Sequence, residues 1–304
     1  MMPMSSPPEA VEQVIARIRA VYRNWKRETP IAQMREDWDR FLWSDAVPAH
    51  EEVVSADGVP ARWICAHGAS SARTLIYLHG GGYKMGSVAS HRDLMARLSQ
   101  AGNCRVLGVD YRLLPEAPFP APFEDALRAY RWALGQGIAS TQLALAGDSA
   151  GGGLVPALLL ALRDARTPLP ACGVMLSALT DFEASGASYE TRAAADPIHN
   201  RALIQALARQ YLGVDGDRRD PRASPLYGDL HGLPPLLLQV GDRETGLDDS
   251  VLFAERARAA GVDATLEIWQ GMIHVFQQFP DELVEARAAI DSIGRFLTRH
   301  WSSM

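Results

Sequence analysis

LALAGDSAGGGLVPALLLAL, residues 143–162, joins a short apolar run, a tight glycine-flanked turn and a longer apolar run. Leu143–Ala146 reads as a buried strand ending at Gly147, and Gly152–Leu162 is apolar on nearly every face, as in a helix buried all round. That second run is too short to span a bilayer and is interrupted by Pro156. Between the two, Gly147-Asp148-Ser149-Ala150-Gly151 has the form G-x-S-x-G. In that motif a serine occupies a strained strand-to-helix turn, with its hydroxyl lifted clear of the sheet. The flanking glycines are required because two backbones approach where a Cβ has no room.

Upstream, the strand-like Thr74–Leu78 runs into His79-Gly80-Gly81-Gly82, a loop suited to turning backbone N–H groups toward a developing oxyanion. Either motif recurs by chance; the two in this order, each after an apolar strand, predict serine-hydrolase chemistry. From Thr74 onward strands are expected at Thr74–Leu78, Arg105–Val109, Leu143–Ala146, Gly173–Leu176, Leu236–Val240 and Thr265–Trp269, with helices between them. Such alternation implies an α/β fold, a mostly parallel sheet covered on both faces. Glu52–Val54 and Ala61–Cys65 are two earlier strand signals.

Two segments stand outside this alternation. Val11, Val14, Ile15, Ile18, Val21, Tyr22 and Trp25 recur at helical spacing, and Met34, Trp38, Phe41 and Leu42 suggest a second helix. The interval 181–227, with a helical patch at Ala202–Tyr211, is too long for a simple crossover and reads as an inserted lid. The expected organisation is therefore a catalytic domain of residues 46–180 and 228–304. A helical cap made of residues 1–45 and 181–227 would sit over the sheet's carboxyl edge, where open α/β sheets bind ligands.

A chain of 304 residues fits one large domain with such an insertion. Its formal net charge of −6, without a basic cluster, argues against nucleic acid or an anionic membrane surface as a partner. Residues 1–10 have neither a basic n-region nor an apolar h-region, so no secretory signal is expected and a cytoplasmic location is the default. Cys65, Cys104 and Cys172 lie far apart, without metal-ligand spacing, and are expected to be reduced, buried fillers.

A serine hydroxyl needs a base, and the base needs an orienting acid; on this kind of sheet they follow in the order Ser, Asp or Glu, His. Only His274 and His300 come late enough, and His300 falls at the frayed end of a terminal helix. His274, in the loop Gly271–Phe276 after the last strand, is therefore the expected base. The acid should follow Leu236–Val240, where Asp242, Glu244, Asp248 and Asp249 crowd one loop. Asp248 and Asp249 suit the first turn of the next helix, and Asp242 suits a backbone turn. Glu244 is favoured, with Asp249 as the alternative. Asp148 precedes the nucleophile and is expected to fix nearby loops.

These segments, together with Asp110–Glu116, resemble the bacterial hormone-sensitive-lipase family of α/β-hydrolase carboxylesterases, from about Val53 to the C-terminus. The resemblance implies a small-molecule ester substrate, oxyanion donors at the N–H groups of Gly81, Gly82 and Ala150, and an acid three residues after the strand-ending glycine, which is Glu244. It also implies a helical cap, no cofactor and frequent homodimers, and no metal is expected because the sequence carries no metal-ligand cluster. Tyr83, Met85, Phe182, Leu203 and Leu207 are the expected pocket walls, and Asp110, Arg112 and Glu116 an underlying structural network. Three positions depart from the family pattern: Thr245-Gly246 after the acid, Ser177–Asp181 without Pro-Trp, and Val275 where glycine often follows the histidine. An amidase or small-peptide hydrolase with the same triad is the rival enzyme class. A non-catalytic binding protein on this fold is the other rival; plant receptors of that kind lose the histidine that is present here.

Overall fold

A computed structural model describes residues 6–301. After two N-terminal helices, α1 (Pro8–Asn24) and α2 (Ile31–Leu42), come strands β1 (Ala49–Ala56), β2 (Val59–Ala66) and β3 (Thr74–Leu78). Strand and helix then alternate: α3 (Arg92–Gly102), β4 (Arg105–Val109), α4 (Ala121–Gly135), β5 (Leu143–Asp148), α5 (Ser149–Asp164) and β6 (Cys172–Leu176). An insertion carrying α6 (Ser188–Thr191) and α7 (Arg201–Leu212) precedes β7 (Leu236–Gly241), α8 (Leu247–Ala259), β8 (Ala264–Trp269) and α9 (Val284–His300). The strands form one sheet in the order β1-β2-β4-β3-β5-β6-β7-β8, antiparallel at the β1–β2–β4 end and parallel from β4 to β8.

The near-continuous apolar strands are explained by burial on both faces. Side chains alternate across the pleat, so Ile76 and Leu78 of β3 and Leu143 and Leu145 of β5 pack on the side of α4, α5 and α8. Their neighbours Leu75, Tyr77, Ala144 and Ala146 pack against α3 and α9. α5 is covered on nearly every side, as its apolar run predicts, and Pro156 is accommodated within it. Cys104 and Cys172 are buried and their thiols are raised by that burial; Cys65, expected to be buried too, is half-exposed on β2.

The N-terminal helices are attached in two different ways. Val11, Val14, Ile15 and Ile18 of α1 are buried against Met272, Ile273 and Phe276, in the loop after β8, and against Leu283, Ala286 and Ala289 around the start of α9. α2 has no fully buried residue. Polar bonds tie it down: Arg35 Nε donates to Lys84 O (2.8 Å), its other nitrogens reach Leu114 O and Glu116, and Ser87 Oγ donates to Asp39 (2.9 Å). Glu116 thus serves the anchoring of α2, while Asp110 accepts from Val88 N (2.7 Å) and Arg112 chelates Asp125 (2.8 Å).

Burial of an aliphatic side chain is worth roughly 1.5–3 kcal/mol, so the apolar face of α1 contributes an amount comparable with the net stability of a domain. Deleting residues 1–43 therefore bares an apolar surface on the loop after β8. The truncated chain is expected to aggregate in size-exclusion chromatography. A monodisperse truncation with an unchanged melting curve would show that α1 is dispensable.

Candidate active site

Ser149 stands at the carboxyl end of β5 with φ +52°, in the left-handed region that non-glycine residues avoid. Close packing holds it there. A Cβ on Gly151 would collide with the carbonyls of Leu78 and His79, so the helix start and β3 approach in direct backbone contact. Leu179 N donates to Ser149 O (3.0 Å), fixing the turn from the side of β6. Asp148 anchors the adjacent loop: it accepts from Tyr77 Oη (2.8 Å) and Gly80 N (2.9 Å), and His91 Nε2 lies 3.2 Å away. Burial alone would raise the Asp148 carboxyl; the neighbouring His91 and these donors bring it below its usual value.

Gly80–Gly82 follow β3 and run beside Ser149. Gly81 takes φ +111°, and a Cβ there would strike the carbonyl of Met85. The N–H groups of Gly81 and Gly82 have no acceptor among the described residues. Ala150 is the second residue of α5, where helix N–H groups lack an intrahelical partner. Behind the loop, His79 stacks on Tyr111 with ring centroids 4.3 Å apart, and burial, then the neighbouring His91, hold it neutral with a pKa of about 3.

Three strand ends bring the serine, a histidine and a glutamate together. His274 Nε2 lies 2.9 Å from Ser149 Oγ, and His274 Nδ1 lies 2.7 Å from Glu244 Oε2. The other oxygen of Glu244 accepts from Gly241 N (2.6 Å) and Ser177 Oγ (2.7 Å), so this buried carboxylate is satisfied on both sides. Burial tends to lower the His274 pKa, but the charge and hydrogen bond of Glu244 outweigh it and raise the ring above its ordinary value of 6.5. Asp249, the alternative acid, points elsewhere: Oδ2 accepts from Thr180 N (3.0 Å) and Asp181 N (3.2 Å). Burial, reinforced by Asp181, pushes its pKa well above the carboxylate range. Asp242 accepts from Gly271 N (2.6 Å), a backbone turn as expected, and Asp248 accepts from Ser188 N (2.8 Å).

A cavity of about 330 Å³ opens over Ser149 and His274. Ile18 and Tyr22 of α1, Trp25 just after it and Trp38 of α2 form one wall, Leu203, Ile204 and Leu207 of α7 another. Met85, Leu203 and Leu207 line it, as the sequence suggests. Tyr83 and Phe182 do not: both are fully buried behind the wall, where Tyr83 stacks on Tyr211 at 4.1 Å and donates to Ala150 O (3.0 Å). Their aromatic character marks core packing behind the Gly80–Gly82 loop rather than contact with a ligand.

Sequence reading misses several residues of the site. Ser177 (φ +46°) bridges the loops that carry Glu244 and His274, since its Oγ also accepts from Val275 N (3.0 Å). Val275 itself has φ +49°, which explains why glycine suits the position after the histidine: a β-branched residue there stores about 1–3 kcal/mol of strain. His199, from the insertion, stands edge-on to His274 with centroids 4.2 Å apart, and burial together with the charge of His274 lowers it to about 4. Asp196 straps the insertion to the acid loop, accepting from His199 N (2.9 Å) and from Thr245 N (2.7 Å). No spacing rule links positions 196 and 199 to 245 and 274.

The profile of a family described as "alpha/beta hydrolase fold" matches residues 75–278. An acetyl-hydrolase of Streptomyces hygroscopicus is 46% identical over 246 residues, 81% of this chain and 82% of that protein. An ethyl acetate hydrolase of Pseudomonas putida is 33% identical over 238 residues, 76% of this chain and 74% of its own. Among solved structures, an esterase from the bacterial hormone-sensitive lipase family superimposes with a TM-score of 0.92 at 46% identity, over 98% of this chain and 100% of the other.

Ser177→Ala removes one donor to Glu244 and the acceptor of Val275 N in a buried place. It should cost about 1–3 kcal/mol in urea denaturation, since buried polar groups are left unpaired. An unchanged midpoint at unchanged slope would show that the bridge contributes nothing.

Proposed function

The chain belongs to the bacterial hormone-sensitive-lipase family of α/β-hydrolase carboxylesterases, and within that activity we propose that it hydrolyses short- to medium-chain acyl esters through an acyl-enzyme on Ser149, with a Ser149–His274–Glu244 triad. The continuous contact from Ser149 Oγ through His274 to Glu244, beneath a cavity, is the observation that carries this reading. His274 takes the serine proton as Oγ attacks the ester carbonyl, and Glu244 stabilises the imidazolium and fixes its tautomer. The N–H groups of Gly81, Gly82 and Ala150 receive the tetrahedral oxyanion, which they can do without reorganising. His274 then protonates the leaving alcohol and later activates water, which releases the acid and restores Ser149.

Residues 1–45, of which 1–5 lie outside the described residues, and 181–227 act in this reading as the cap. The wall supplied by α1, α2 and α7 supports it. A cavity of about 330 Å³ lies at the lower end of small-ligand sites and favours acyl chains of roughly two to eight carbons. The names of the two relatives, an acetyl-hydrolase and an ethyl acetate hydrolase, point to the short end of that range. Among the described residues no helix is long and apolar enough to cross a membrane.

An organophosphonate should label the protein at Ser149, and Ser149→Ala should abolish the label and lower kcat by several orders of magnitude. A label surviving on that variant would remove the assignment.

The pH profile tests the acid. His274 must be neutral to accept the proton, so kcat/KM should fall on the acid side through a pKa above 6.5. Glu244→Gln deletes the charge that raises that pKa. The acid limb should therefore move to lower pH while kcat falls by roughly 10²–10⁴. A limb that stays in place would mean that another group sets the titration, and a matching loss in Asp249→Asn would transfer the role there.

A further inference from the structure

Lys84 comes two residues after Gly82 and lines the cavity. Its backbone is pinned on both sides: its N–H donates to Gly81 O (3.1 Å) and its carbonyl accepts from Arg35 Nε (2.8 Å). Its ammonium, by contrast, makes no hydrogen bond or ion pair among the described residues. The side chain is half-buried, and burial alone lowers its pKa, with no carboxylate close enough to offset the effect. The acids that line the same cavity are already committed. Asp148 is held by Tyr77, Gly80 and His91, and Asp249 accepts from the N–H groups of Thr180 and Asp181. The nearest other cation by contact, Arg35, is neutralised by Glu116. A partly desolvated cation without a partner, on a fixed backbone beside the oxyanion loop, is unfavourable until an anion arrives.

Resting on the esterase reading, we propose that Lys84 is a specificity-determining residue and that the substrates are short esters bearing a carboxylate on the acid or the alcohol portion. The lysine stem and the two-residue step back to Gly82 span on the order of 10 Å. A carboxylate a few bonds from the ester carbonyl is therefore within reach of the lysine side chain while the carbonyl lies over Ser149. The neutral analogue leaves the ammonium desolvated and unpaired, the situation in which a built polar site discriminates most strongly. A charge-assisted hydrogen bond in such a place corresponds to roughly 10- to 100-fold in kcat/KM.

Two isosteric pairs test this: monoethyl succinate against ethyl levulinate for the acid side, and 3-acetoxypropionate against 4-acetoxy-2-butanone for the alcohol side. Each pair is assayed on the full-length wild type, Lys84→Met and Lys84→Arg, and the quantity read is the ratio of anionic to neutral kcat/KM. Because both members are assayed on one preparation, partial misfolding cancels. The expected result is that one pair's ratio falls roughly 10- to 100-fold in Lys84→Met, is largely kept in Lys84→Arg, and falls with added salt in the wild type. Which pair responds tells the end that carries the charge. Ratios unchanged in Lys84→Met for both pairs, with the neutral esters still hydrolysed, overturn the role of Lys84 and leave the esterase reading standing. A wild type that hydrolyses no member of either pair and takes no phosphonate label at Ser149 brings down the esterase reading itself.

Discussion

The backbone at Ser149 is forced into a left-handed conformation, and much of the molecule exists to hold it there. A serine at φ +52° costs on the order of 1–2 kcal/mol, and it persists only because neighbouring segments leave no alternative. Gly151 lets the start of α5 press against the carbonyls ending β3, and Leu179 N closes the turn from β6. The apolar surroundings of α5 make this rigid, since a helix covered on nearly all sides cannot shift to relax the turn. The same close approach brings Gly80–Gly82 beside Ser149. The strain is therefore spent on position.

Electrostatics then sort the ionisable groups around the site. Glu244 is buried, yet both its oxygens are hydrogen-bonded, so its charge is tolerated and is spent on His274. Asp249, only five positions on, is buried with Asp181 as its neighbour, and both effects raise its pKa. Of two buried carboxyl groups five positions apart, one thus faces an imidazole and the other a second carboxyl group. The histidines are divided in the same way: His274 is raised by Glu244, while burial leaves His79 and His199 neutral.

The segments outside the sheet act on the site through the loops they touch. α1 packs on Met272, Ile273 and Phe276, the residues flanking His274, so its apolar face buttresses the base loop as well as walling the cavity. The insertion is strapped to the acid loop at Asp196–Thr245 and Ser188–Asp248, and the strap brings His199 against His274. Movement of either segment would thus reach the loops that carry His274 and Glu244 as well as the wall of the cavity.

The order and type of the elements were legible in the chain because strand burial, helical periodicity and the two glycine-rich turns are local properties. The strands after Thr74 fall within about two residues of their expected bounds, the usual uncertainty of a strand end. Ser149, His274 and the choice of Glu244 over Asp249 followed from chain order and loop position, and these residues do meet in the structure. Tyr83 and Phe182 were misread because an aromatic residue near a motif has the same sequence signature whether it faces a cavity or the core behind it. Ser177, Asp196 and His199 were invisible for a different reason: each acts on a partner far along the chain, through a hydrogen bond or ring contact that no spacing encodes. The sequence by itself determined the order of strands and helices and the glycine-flanked turn at Ser149, since these depend on neighbours along the chain. Only the tertiary structure decided which carboxyl group meets His274, which aromatics are wall or core, and that the ammonium of Lys84 has no partner among the described residues, because burial and the approach of distant loops set those properties.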